Sequence, residues 1–345
     1  MEIGLYTFGD LVPHPVTRQR PSGAQRIAEI IAAARLADEV GLDVFGVGEH
    51  HRLDFAVSTP AVVLSAIAAQ TKNIRLTSAV TVLAASDPVR VFQDFATLDL
   101  VSEGRAEIMV GRGAFTEPFP LFGYDLNSYD ELFVENYSLL RKLRASERIT
   151  WRGRFRPALN NAEIAPRPAQ DEVPVWIAVG GSPESAARAG ALGAPMALAA
   201  LGGPIAGRKG IVDLYRKSVP KDATGLRVAL ACHTHVGATS QSARELFYPH
   251  YTNYWHHASG GRVPLMSRGQ FDHAASPGTA LMVGSSSEIT ERLLFAHEVL
   301  GIDRFLAQID VGSLPFSEVA AVIERLGTQI APALRRATRA AATAA

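Results

Sequence analysis

Gly48-Glu49-His50-His51 sets two adjacent imidazoles beside a carboxylate at the end of a short apolar run. Imidazoles serve as donors, acids, bases or metal ligands near neutral pH. Neighbouring side chains on extended backbone point to opposite faces, so His50 and His51 are badly placed to share one ion. No HExxH spacing or cysteine stands with them. No metal is expected. The economical reading turns one of the two histidines inward as a donor or base and packs the other outside; a purely structural pair is the alternative.

A second pattern runs from Val175 through Val179 into Gly180-Gly181-Ser182-Pro183-Glu184-Ser185. Glycines admit a ligand close to the backbone, Ser182 suits a helix N-cap and Pro183 the first helical position. Free amides at a helix start favour an anion such as phosphate. The same residues can also serve simply to turn the chain. The turn lacks the GxGxxG spacing, so a dinucleotide fold is not implied. Arg112, between Gly111 and Gly113, offers a planar guanidinium either to an oxyanion or to loop carbonyls. Gly202-Gly203-Pro204, with Arg208 nearby, adds a flexible backbone edge, and Gly284-Ser285-Ser286-Ser287-Glu288 reads as a helix cap.

These residues sit at the ends of short apolar runs that alternate with segments of helical period. The runs, 3–8, 44–48, 74–83, 106–111, 175–179, 196–201, 227–235 and 304–311, are the expected strands. Helices follow, as over 24–40, where Ile27, Ile30, Ile31 and Ala34 recur on one face before Gly41. In the last helix Val319, Val322, Ile323, Leu326 and Ile330 form a stripe after Pro315. Eight βα units imply an α/β fold closed as a (β/α)8 barrel, whose functional residues gather at the C-terminal rim of the strands; an open doubly wound sheet is the alternative. The 345 residues are expected to form one domain over 1–345, with insertions at 150–170 and 240–284. The second stretch carries Phe247-Tyr248-Pro249-His250-Tyr251 and Tyr254-Trp255-His256-His257, suited to an aromatic cover or to a packing or dimer surface. The Ala-rich end after Thr338 is expected to fray.

Composition narrows the partners. Lysine plus arginine and aspartate plus glutamate number 34 each, so there is no basic field for nucleic acid or an anionic membrane. The opening Met1-Glu2-Ile3-Gly4-Leu5-Tyr6 does not read as a signal peptide, and a cytoplasmic location is expected. Cys232, alone in the sequence, permits no internal disulfide and reads as a buried small hydrophobe.

Taken in order, these segments resemble the bacterial luciferase-like family of flavin-dependent monooxygenases. The resemblance spans nearly the whole chain. It includes Gly48-Glu49-His50-His51, Asp87-Pro88-Val89-Arg90, Ser102-Glu103-Gly104-Arg105 leading into Gly111-Arg112-Gly113, and Val173-Pro174-Val175-Trp176 leading into the glycine turn. It implies a TIM barrel with insertions, commonly a homodimer, holding the flavin phosphate in the later strands' loops and the ring in the barrel mouth. By matching positions it implies His50 beside the flavin and Ala79 and Val80 as a backbone bulge behind the ring that can hold a non-proline cis peptide. Arg112 falls at the fourth-strand rim, and Gly180, Gly181 and Ser182 at the phosphate turn. Gly111 stands where luciferase has a reactive cysteine, which argues against light emission with an aldehyde.

The implied chemistry uses reduced FMN from a separate flavin reductase, and molecular oxygen, to oxygenate a small organic substrate in a site kept dry by the 240–284 stretch. Two other readings stand beside it. One is coenzyme F420-dependent hydride transfer, for which Arg208 and Lys209 offer little positive lining. The other is a non-catalytic flavin-binding partner protein, against which the retention of His50 and both glycine turns argues.

Overall fold

Runs that are apolar at nearly every position form strands buried on both faces, and eight of them build the central sheet. They are β1 (Glu2–Thr7), β2 (Val44–Val47), β3 (Arg75–Ser78), β4 (Ala106–Gly111), β5 (Val175–Val179), β6 (Met196–Ala199), β7 (Val228–Gly237) and β8 (Arg304–Gln308). The computed structural model describes residues 1–113, 115–224 and 226–344. Each strand pairs in parallel with the next, and β8 pairs with both β7 and β1, so the sheet closes into a barrel rather than an open doubly wound sheet. Outside lie α1 (Gly23–Glu39), α2 (Pro60–Ala68), α3 (Pro88–Val101), α4 (Tyr129–Ala145), α5 (Pro183–Ala191), α6 (Lys209–Ser218), α7 (Ser240–Ala258), α8 (Ser286–Leu300) and α9 (Phe316–Arg325). Cys232 faces this outer layer, fully buried, with its thiol pushed up to about 12 by burial.

The structure departs from some expectations and fills in others. The strand expected over 74–83 is broken: β3 stops at Ser78, Ala79–Val80 is a cis peptide, and a short strand at Thr81–Val82 pairs with β4 before a 3-10 turn at Leu83–Ala85. β7 runs to Gly237, and its extension pairs with a further strand at Met282–Ser285 that sequence reasoning did not find. The 150–170 stretch contributes to an antiparallel hairpin of Arg148–Trp151 with Leu159–Glu163. The 240–284 stretch is largely helical, with α7 and a short helix at Arg268–Ala274. The tail expected to fray continues as helix over Ala331–Ala344. The stripe of Val319, Val322, Ile323, Leu326 and Ile330 is buried as expected.

Alternation along the strands decides what fills the barrel. Its middle holds Tyr6, Val44, Met109, Trp176, Ala197, Ala229 and Leu306. The N-terminal end is sealed by charge. Buried Arg304 grips Glu107 with two hydrogen bonds of 2.6 and 3.0 Å and reaches Glu2 at 2.6 Å, while Arg75 joins Glu107 and Arg227 joins Glu2. Arg304 also lies over the Trp176 ring at 4.5 Å. Burial alone would raise the Glu107 carboxyl, but the two guanidinium groups hold it below its ordinary range. The other end carries the candidate site.

Candidate active site

Because all eight strands run in parallel, the residues after their C-terminal ends share one rim. His50 follows β2. Its ring stacks on Phe55 at 4.2 Å and meets the edges of Phe8 and Phe115 at 4.7 and 5.4 Å. Burial among these rings pushes the imidazole down to about 3, so it is neutral at working pH, and its Nε2 has no hydrogen-bond partner. His51 turns the other way. Its Nε2 meets Glu49 Oε1 at 2.8 Å, and the second Glu49 oxygen accepts from the Val82 amide at 2.9 Å. Glu49 thus ties His51 to the backbone just beyond the cis peptide, and the two histidines diverge as alternation requires.

The bulge at Ala79–Val80 projects into the mouth opposite Gly111. A Cβ at Gly111 would lie 2.9 Å from a Val80 methyl, so the cysteine of luciferase could stand here only if Val80 moved. Phe8, Val80 and Ala178, the inward-facing residues nearest the rim, are only partly buried, whereas the layer beneath them is closed. The result is an apolar depression with a closed floor.

The glycine turn lies along the same rim. Ser182 caps α5 by accepting from the Ser185 amide at 3.2 Å, and its hydroxyl donates to Ser185 Oγ at 2.8 Å. Arg112 donates to the same Ser185 Oγ at 2.9 Å, pairs with Asp130 and lies over the Tyr129 ring at 4.6 Å. The structure therefore brings Arg112 and Ser182 together through Ser185, but it commits the Arg112 guanidinium to protein partners. The guanidinium that reaches the glycines is Arg208. It donates to Gly202 O at 2.7 Å and would lie 3.3 Å from a Cβ at Gly181, while its buried Nε has no partner. A Cβ at Gly180 would meet open space.

An unpaired guanidinium N–H opposite a glycine turn at the start of a nine-residue helix fits a phosphate. The apolar depression with one unpartnered imidazole fits a planar ring. A flavin phosphate would fall to Gly180, Gly181, Ser182 and Arg208, and its ring to His50 and the Ala79–Val80 bulge.

The family model for luciferase-like monooxygenase matches residues 1–301, most of the chain. The chain belongs to the luciferase-like monooxygenase family. A relative in Acinetobacter baylyi, the oxygenase component of a flavin-dependent trigonelline monooxygenase, is 24% identical over 333 residues, covering 88% of this chain and 89% of its own. Among solved structures, a monooxygenase from Streptomyces bottropensis superposes with a TM-score of 0.83 at 23% identity, over 96% of this chain and 99% of that one. The oxygenating constituent of 3,6-diketocamphane monooxygenase from Pseudomonas putida, in complex with FMN, gives 0.77 at 19% identity over 97% and 98%. An F420-dependent secondary alcohol dehydrogenase gives 0.73 at 18% identity over 97% and 99%. This luciferase-like protein is therefore an enzyme of a family that uses flavin or F420 for oxidoreductase chemistry.

Sequence reasoning named Arg208 as a neighbour of the second glycine turn and as sparse lining for an F420 tail, gave Ser185 no role beyond its place in the turn, and missed His233 and Gln308. The last two are inward residues of β7 and β8 with polar atoms that lack a well-formed hydrogen bond. Their traceable sign was a polar side chain recurring at alternate positions of otherwise apolar strands. Among the described residues no helix is long and apolar enough to cross a membrane.

Proposed function

We propose that this enzyme is the oxygenating component of a two-component, FMN-dependent monooxygenase that takes reduced FMN from a separate flavin reductase. The single observation that carries this reading is the pairing of two partial sites on one rim. One is a glycine turn faced by the unpaired Arg208 Nε, and the other is an apolar depression bearing the unpartnered His50 Nε2. When bound, reduced FMN supplies two electrons to molecular oxygen, so that one oxygen atom enters the substrate and the other leaves as water.

The chain's own residues do the rest. The α5 amides and Arg208 bind the phosphate, the rings of Phe8, Phe55 and Phe115 exclude water, and neutral His50 offers one hydrogen-bonding nitrogen to the ring or the substrate. Charge pairing favours FMN over F420. A longer acidic tail needs free cations beyond the turn, yet Arg112 and Arg188 share Asp130, and Lys209 pairs with Asp213 at 2.6 Å.

Calorimetric titration with reduced FMN, oxidised FMN and F420, followed by mixing of the loaded protein with oxygen, tests the reading. Reduced FMN should bind at least ~10-fold more tightly than F420 and should be reoxidised by oxygen on the protein. Tighter binding of F420, with a bound reduced cofactor inert to oxygen, would falsify it in favour of hydride transfer.

A further inference from the structure

Three strands put a polar row on the inner wall of the mouth. Tyr6 of β1 stands opposite Gln308 of β8, and Gln308 stands opposite His233 of β7, in parallel registers that point all three side chains the same way. Tyr6, Ala229, Ala231 and Leu306 line the interior, so His233 and Gln308, two residues further along their strands, also face inward. Both are almost completely buried. Neither nitrogen of the His233 ring and neither polar atom of the Gln308 amide meets a partner at full hydrogen-bond geometry, and only weak side-chain contacts join Gln308 to His233 and to Tyr254. Buried donors and acceptors are almost always satisfied, and four atoms left without a well-formed hydrogen bond in one row are costly unless something else meets them.

The surroundings specify what that something is. Around His233 stand the rings of Tyr251, Tyr254 and Trp255 from α7, with centroids 5.7, 5.6 and 5.6 Å away. Neighbouring inward positions are alanines, namely Ala178, Ala197, Ala229 and Ala231, whose side chains are small and offer the row no polar partner. Burial presses the His233 imidazole down to about 4, so it is neutral and carries one donor and one acceptor, as the carboxamide does. Tyr254 feels the carboxylates of Asp10 and Asp310, an environment hostile to an anion. Arg52, the cation that senses Tyr254, is already paired with Asp54 at 2.7 Å.

We propose that His233 and Gln308 are the substrate-reading residues of the mouth, selecting a neutral planar molecule that carries an amide-like, phenolic or carbonyl group. The aromatic residues of α7 then pack against its ring. This inference rests on the reading above that the mouth holds a flavin together with an organic substrate. It adds the class of molecule taken.

Benzamide, benzoate and toluene are close in size and differ in charge and hydrogen bonding, so they are the probes. Each is titrated calorimetrically into the full-length protein, alone and saturated with FMN. Benzamide should bind at least ~10-fold more tightly than either of the others, because a site built to hydrogen-bond rejects analogues that lack the group or bring a charge. His233→Phe and Gln308→Met should each bring benzamide to within ~3-fold of toluene while leaving FMN affinity unchanged. The inference is overturned if no probe binds, if benzamide binds no better than toluene or benzoate, or if its preference survives both substitutions. It is also overturned if FMN affinity falls as far as benzamide affinity does, since the row would then read the flavin. Failure of the wild-type protein to bind FMN while the benzamide preference holds would remove the cofactor reading and leave this one standing. Should both variants fail to fold, as judged by circular dichroism, the ranking of the three probes on the wild-type protein decides.

Discussion

His50 illustrates how packing sets a residue's chemistry. Three phenyl rings remove water from the imidazole and no carboxylate touches it, so it stays neutral down to about pH 3. On the proposed function, its contribution to turnover would then be a fixed hydrogen bond rather than a positive charge. Replacing His50 with alanine should slow reoxidation of bound reduced FMN at least ~10-fold while changing FMN affinity less than ~3-fold. Rapid mixing and calorimetry on the same protein read both numbers, and equal losses in the two would remove its assignment. The wild-type rate should also show no inflection near pH 6.5 that is lost in the variant. His50 was legible because it sits at a strand end in a distinctive run. His233 and Gln308 were not, because alternation tells which side chains face inward but not which of those lack partners. The partners of Arg112 were hidden for a similar reason: Asp130 and Ser185 come from distant parts of the chain.

Among the elements, α7 is the one whose role the sequence understated. Its 19 residues looked like part of an insertion, because Pro249 and the aromatic clusters obscure a helical stripe. In the structure Phe247, Tyr251 and Tyr254 are buried, and the helix is held to the rim at defined points: His250 Nδ1 to Gly312 O at 2.8 Å and Asn253 Nδ2 to Pro13 O at 2.7 Å. Gly312 has φ +72°, and a Cβ there would stand 2.1 Å from the His250 carbonyl oxygen. Gly312→Ala should therefore push α7 off the rim and cost about 2–4 kcal/mol, lowering Tm by roughly 3–6 °C. A melting curve unchanged within error would show that α7 is not anchored there. The barrel strands themselves were legible from their apolar runs. The exceptions were the broken third strand and the pairing of Met282–Ser285 with the β7 extension, both of which depend on contacts far apart in the chain.

For the molecule as a whole, the buried titratable groups set the response to acid. His50, His233 and His235 have imidazoles pushed down to about 3, 4 and 4, chiefly by burial, so the unfolded chain takes up protons below about pH 6.5 that the native protein refuses. Stability therefore falls as pH drops through that window. Asp10, raised to about 6 by burial with Asp310 adding to the effect, works in the opposite direction, because the native state holds its proton before the unfolded state does. Three histidines outweigh it. Unfolding at pH 5 should take up on the order of two protons, which urea titrations at pH 7, 6 and 5 read as a progressive loss of stability. A midpoint that rises on acidification would contradict this balance.

The charged seal of Glu2, Arg75, Glu107, Arg227 and Arg304 across the N-terminal end also shapes traffic through the barrel. With that end stoppered, the described residues leave the vessel its doorway at the opposite rim. On the proposed function, oxidised product and spent cofactor would share the route by which they came, with no exit through the plugged floor.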